Sequence, residues 1–193
     1  MNSRDEMRTF IIIDGHRMSK TNALKLAVLL LILGGAGYLA LRQRPPRLLT
    51  IGDRAPDFTV PAIPSGSLDS RKYHQQVVVL NFWATWCAPC VAEVPSLEGF
   101  EERMQSQGVV VLGVSVDEDR RELQEFIDRY RVTYAVGFDP DRALAARFGT
   151  FKFPETYILD RHGRVAEKLI GAVSWDDPRL QSFVLDLARG STR

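Results

Sequence analysis

Apolar and polar positions alternate along this chain in three distinct ways. Between residues 23 and 41 it reads ALKLAVLLLILGGAGYLAL, an apolar stretch with Lys25 as its only charge. As a helix at about 1.5 Å per residue this stretch reaches roughly 28 Å, close to a hydrocarbon core of about 30 Å, and it predicts a single transmembrane anchor. A cleaved signal peptide is the alternative, with Gly34, Gly35 and Ala36 as the small residues of a cleavage site. The run continues past them to Leu41 and then meets Arg42, Arg44 and Arg47, as a retained membrane helix meeting headgroups does. No cysteine directly follows the run, which excludes a lipidated N-terminal cysteine.

The second pattern is the continuous β-branched run of a strand buried on both faces, at residues 77–82 (VVVLNF) and again at 109–115 (VVVLGVS). The third lies between them. Over residues 87–107 Val91, Val94, Leu97, Phe100 and Met104 recur at helical spacing, with Glu93, Glu98, Glu101, Glu102 and Arg103 between. Strand, helix and strand at this length predict a parallel crossover, so the fold class is α/β. A helix over 119–130, a short strand over 135–138, a helical turn after Pro140, strands at 156–159 and 165–169, and a closing helix over 177–188 follow. The segment Asp160-Arg161-His162-Gly163-Arg164 predicts a hairpin between the last two strands. The organisation expected is a tail over 1–22, an anchor over 23–41, a stiff tether over 42–50 containing Pro45 and Pro46, and one domain over 51–193.

Charge narrows the partners. Lys and Arg number 25 against 24 Asp and Glu, and a net charge of +1 generates no field that would gather nucleic acid. Arg4, Arg8, Arg17 and Lys20 before the apolar run balance Arg42, Arg44, Arg47 and Arg54 after it, so positive charge does not orient the anchor. Translation from Met18 would leave only Lys20 and Lys25 on the first side.

The 2 cysteines, Cys87 and Cys90, rule out both a multi-bridge scaffold and a four-cysteine zinc site. His16, His74 and His162 have no ligand spacing to them, and neither metal nor cofactor is expected. The pair sits in Trp86-Cys87-Ala88-Pro89-Cys90, where strand gives way to helix. Unpaired N–H groups and the positive end of the macrodipole make a thiol at a helix N-terminus acidic relative to the ordinary value of about 8.5. Cys87 is therefore the expected attacking thiolate and Cys90, one turn inward, the resolving thiol. Pro89 tolerates the first helical turn. A fixed structural bridge is the alternative, but so short a loop constrains the unfolded chain little.

Three blocks, VVVLNFWATWCAPC followed by Glu93 and Pro95, then GVVVLGVSVDE, then FPETYILDRHG, resemble the membrane-anchored thioredoxin-like proteins of the TlpA/ResA/CcmG group. The opening Gly52-Asp53-Arg54-Ala55-Pro56-Asp57-Phe58 resembles that group's entry segment, and residues 117–140 its strand-helix insertion. The resemblance implies a thioredoxin-like fold, a central mixed sheet flanked by helices. It implies that Pro154 is a cis-proline beside the cysteines, an ordinary turn proline being the alternative, and that Trp86, Phe153, Pro154 and Glu155 meet the client. It also places Glu93 and Glu155 near the thiols, where a carboxylate in partly apolar surroundings relays a proton. For Glu93 a solvated helix face is the alternative. Asn81 stands where cytosolic thioredoxins carry a buried aspartate; it cannot titrate, which shifts that duty to Glu93 or Glu155. Phe153 is bulkier than the residue usual before the proline.

The expected function is thiol-disulfide exchange on exported client proteins, as a reductant in cytochrome c maturation with apocytochrome c as client and a membrane thiol as electron donor. The catalytic domain would face the periplasm or cell exterior from a single-pass anchor in the cell membrane. Reduction of copper-site assembly proteins, and general extracytoplasmic exchange, are the nearest alternatives. A peroxidase of related fold would need an activating threonine and arginine context that is absent around Cys87. A non-catalytic binding module, with the cysteines idle, is the reading of another class.

Overall fold

The computed structural model describes residues 20–42 and 48–190. The expected tail, apart from its last residues, and tether positions 43–47 lie outside the described residues.

The apolar N-terminal run forms helix α1, Lys20–Arg42. Among the described residues no helix is long and apolar enough to cross a membrane, which corrects the expectation of a single transmembrane helix. The aliphatic run is unbroken only over 26–33; Gly34, Gly35, Ala36 and Gly37 then add little apolar surface.

Residues 48–190 hold a seven-stranded mixed sheet in the order β2-β1-β5-β4-β3-β6-β7. Its centre is β3 (Val77–Trp83), in parallel register with β4 (Val109–Ser115) from Val77↔Val109 to Trp83↔Ser115. All of β3 is buried, as a strand covered on both faces must be. Helix α2 (Ala88–Met104) makes the crossover between them. Helix α3 (Arg120–Tyr130), capped by the Asp119 side chain, leads to β5 (Ala135–Phe138), parallel to β4. A short α4 (Ala143–Phe148) precedes β6 (Glu155–Leu159), antiparallel to β3, and β7 (Val165–Ile170) pairs with β6. The hairpin turn forms where the sequence predicts it: Asp160 Oδ1 accepts from the His162 and Arg164 amides, and Gly163 takes φ +72. Helix α5 (Pro178–Arg189) closes the domain behind the Asp177 cap.

Two strands escape the sequence reading, β1 (Thr59–Ile63) and β2 (Ser67–Asp69), an antiparallel hairpin joined to β5 through Ala62↔Gly137 and Ile63↔Val136. Pro61 lies within β1 and Pro64 directly after it, and proline inside a short run argues against a strand when only the sequence is seen.

Alternation along β3 sends neighbours to opposite sides of the sheet. Phe82 meets Phe148 of α4 and Tyr157 of β6, whereas Trp83 meets Phe126 of α3 and Asn81 reaches Glu93 of α2. The chemistry of the molecule is assembled where β3 ends.

Candidate active site

The last residue of β3 is Trp83, and four residues later α2 begins with Cys87 as its N-cap. Cys87 has extended backbone angles, and its Sγ accepts the Cys90 amide at 3.3 Å. A sulfur in that position satisfies one of the orphan donors of the helix, and the same donor stabilises a thiolate once the pair is reduced. Cys87 and Cys90 form a disulfide with their Cα atoms 5.2 Å apart. Cys87 is 6% exposed and Cys90 2%, so an incoming thiol or disulfide meets Cys87 first.

The turn between Trp83 and Cys87 is held from outside. Thr85 donates its amide to both oxygens of Asp117 at 3.1 Å and its hydroxyl to Oδ1 at 2.7 Å. Ser115 Oγ donates to Asp117 Oδ2 at 2.6 Å. Trp86, beyond the turn, is 59% exposed; Phe153 packs edge-on against its indole at 6.0 Å, and the Arg142 guanidinium lies 5.9 Å from it. Phe153–Pro154 is a cis peptide, and the Pro154 carbonyl accepts the Gly171 amide at 2.8 Å.

Glu93 follows Cys90 by one turn of α2 and is buried. Its Oε1 accepts Trp175 Nε1 at 2.9 Å and the Val173 amide at 3.2 Å; Asn81 Nδ2 approaches Oε2 at 3.4 Å. Burial pushes its pKa up, and the bonds from Val173, Trp175 and Asn81 offset only part of the rise. A buried carboxyl raised in this way, one helical turn after Cys90, is suited to holding a proton.

Residues 51–168 match the AhpC/TSA family. The chain belongs to that family. The ResA thiol-disulfide oxidoreductase of Bacillus thuringiensis is 28% identical over 161 residues, covering 80% of this chain and 91% of the relative. That of Oceanobacillus iheyensis is 31% identical over 146 residues, covering 74% and 75%. The secreted thiol-disulfide isomerase of Corynebacterium glutamicum, a crystal structure, superposes with a TM-score of 0.65 at 28% identity, covering 76% of this chain and 93% of that one. This AhpC/TSA-family chain is a thiol-disulfide oxidoreductase with a thioredoxin-like fold, and Cys87 and Cys90 are its CxxC pair. Both of these ResA relatives carry the name of thiol-disulfide oxidoreductases.

The structure treats the two candidate carboxylates of this oxidoreductase differently. Glu93 is buried among hydrogen-bond donors, so its solvated-face alternative is set aside. Glu155 is one residue out of phase with Thr156, the β6 residue that receives Asn81 Nδ2 at 2.9 Å, and so faces the other side of the sheet from the Asn81–Glu93 contact. There Glu155 pairs with Lys168 Nζ at 2.6 Å and accepts the Tyr157 hydroxyl at 2.8 Å. An ion pair already occupies it, which leaves Glu93 as the carboxylate free of a cation partner.

Trp175 beside Glu93 and Lys168 beside Glu155 complete the surroundings of the two candidate carboxylates, and no motif in the sequence points to either. Asp117 lies within the block GVVVLGVSVDE, where its position just past a strand aimed at the CxxC turn is the available signal. Trp175 sits in a polar loop without periodicity, and nothing local announces that its indole turns inward to Glu93.

Proposed function

We propose that this oxidoreductase is a reductant of disulfides in exported proteins, with apocytochrome c as client, recharged by a membrane thiol. The observation that carries the reading is the Cys87–Cys90 pair at the start of α2, with Cys87 outermost and exposed Trp86 beside it. In the dithiol form the Cys87 thiolate attacks one sulfur of a client disulfide; a mixed disulfide forms and a client thiolate leaves. Cys90 then gives up its proton to Glu93 and attacks Cys87 Sγ, expelling the second client thiolate and closing the bridge seen in the structure. Two electrons pass from the enzyme dithiol to the client, and a donor dithiol returns them. Trp86, Phe153 and Pro154 form the surface the client segment lies against. Helix α1, with exposed Leu26, Leu30 and Leu33, holds the domain to the outer side of the cell membrane.

Copper-site assembly proteins are the alternative clients. Disulfide-bonded peptides carrying the cysteine motif of each client, with dithiothreitol as recycling donor, provide the test. Wild-type protein is expected to reduce them, Cys87→Ser to lose turnover, and Cys90→Ser to accumulate the mixed disulfide. A Cys87→Ser protein that supports function undiminished would establish the binding-module reading instead. The direction of flow is read from the equilibrium potential: near the thioredoxin value of about −270 mV supports a reductant, and near about −120 mV makes it an oxidant.

A further inference from the structure

Asp117 is a buried carboxylate that the exchange mechanism above does not use. Each of its side-chain contacts is a donor: the Thr85 amide to both oxygens, the Thr85 hydroxyl to Oδ1 and the Ser115 hydroxyl to Oδ2. Both oxygens thus face donors, the surroundings that suit a carboxylate. No cation pairs with it among the described residues, so its charge is dispersed through neutral donors, two of which belong to the turn that carries Cys87. The rest of the turn is tied down around it: the Cys87 amide donates to Ala84 at 3.2 Å, and the Val116 amide to Trp83 at 3.0 Å.

We propose that Asp117 is a positioning residue of the exchange reaction, which fixes the Thr85 turn and whose buried negative charge sets the redox poise of the Cys87–Cys90 pair. This rests on the reductant reading above. A fixed negative charge in a low-dielectric surround opposes the Cys87 thiolate. Since the thiolate exists only in the dithiol state, opposing it makes the dithiol a stronger electron donor; stabilising the reduced form does the reverse and creates an oxidant. The other charged groups around the site do not duplicate this. Glu93 lies on the Cys90 side and its pKa is raised, Glu155 is neutralised by Lys168, and Arg142 and Lys152 carry the opposite sign on the exposed rim. Glu118 and Asp119 next to Asp117 are exposed, and Asp119 caps α3.

The experiment measures, in the full chain, the pH midpoint of Cys87 alkylation by iodoacetamide and the equilibrium of the pair with a glutathione series. Asp117→Asn removes the charge at constant shape. It is expected to lower the midpoint by about half a pH unit and to move the glutathione equilibrium about threefold toward the dithiol. Thr85→Val removes a donor that disperses the charge, and both readings are expected to move the opposite way. Opposite signs from two changes in one network are not the result of loosening the turn, which would move both variants alike. A folded Asp117→Asn protein with unmoved midpoint and equilibrium overturns the proposal, as does Thr85→Val shifting in the same direction as Asp117→Asn. Should Asp117→Asn fail to fold, the sign of the Thr85→Val shift alone decides. Failure of the underlying reading looks different: the wild-type pair itself would then equilibrate with glutathione near the oxidant value of about −120 mV, whatever the two variants do.

Discussion

Glu93 is a buried carboxyl whose setting works against stability at neutral pH. Its carboxyl has lost water and gained three neutral donors but no cation, and the net effect is a pKa raised from 4.5. The sign of the linkage follows. The folded protein holds this proton to a higher pH than the unfolded chain does, so the contribution of Glu93 to stability is fully present below about 4.5 and is lost as pH rises through the raised folded value. A Glu93→Gln variant keeps an oxygen for Trp175 and Val173 and never ionises. It is expected to exceed the wild type in stability at neutral pH, with the difference closing as pH falls toward 4.5 in denaturant titrations. If Glu93 is the proton acceptor of the proposed path, resolution of the mixed disulfide is expected to slow at least tenfold in the same variant. A variant of unaltered resolution rate would remove Glu93 from the proton path. The helical spacing of the neighbouring apolar residues leaves it open whether Glu93 faces solvent or core; only the docking of the 173–175 loop onto α2 decides, and that contact spans some 80 positions of sequence.

At the scale of elements, what the sequence disclosed was whatever could be read from a continuous or periodic apolar pattern. The ends of β4 and β5 coincide with the expected ones, and β3, β6, β7, α2, α3 and α5 differ from expectation by a few residues at their termini. The β1–β2 hairpin was hidden because its prolines break the pattern, and because its strand character comes from pairing with β5 rather than from its own composition. The packing of β4 was equally invisible. Gly113 lies mid-strand, where a Cβ would stand 2.7 Å from the Tyr134 ring and 2.9 Å from Trp83 Nε1. Both aromatic side chains are buried, and neither Trp83 Nε1 nor the Tyr134 hydroxyl has a hydrogen-bond partner among the described residues. Gly113→Ala must therefore move one ring off its seat. A loss of about 1–3 kcal/mol is expected in chemical denaturation, together with altered fluorescence from Trp83. A neutral substitution would show that the two rings yield more easily than their burial implies.

The molecule as a whole joins two units with different demands on their surroundings. Residues 46–193 contain the sheet and its core, whereas residues 1–45 form a separate unit whose described part is the apolar helix α1. Leu24, Leu29, Leu30, Leu31, Ile32 and Leu33 are all at least half exposed there. Exposing so many aliphatic side chains in a row to water is unfavourable by roughly 25 cal/mol per Å², which is a drive toward lipid or another apolar surface. The glycines after Leu33 weaken that drive along the second half of the helix without cancelling it. Attachment to a membrane, as proposed, would confine the thiol pair to the surface where a membrane thiol donor would meet it, raising its effective concentration without any new contact. The full chain is accordingly expected to float with lipid vesicles in a density gradient, and a chain starting at Leu48 to stay in the soluble fraction with its exchange activity toward small disulfides intact. If both chains partition into the soluble fraction, α1 has some other apolar partner, and the electron donor need not be a membrane protein at all.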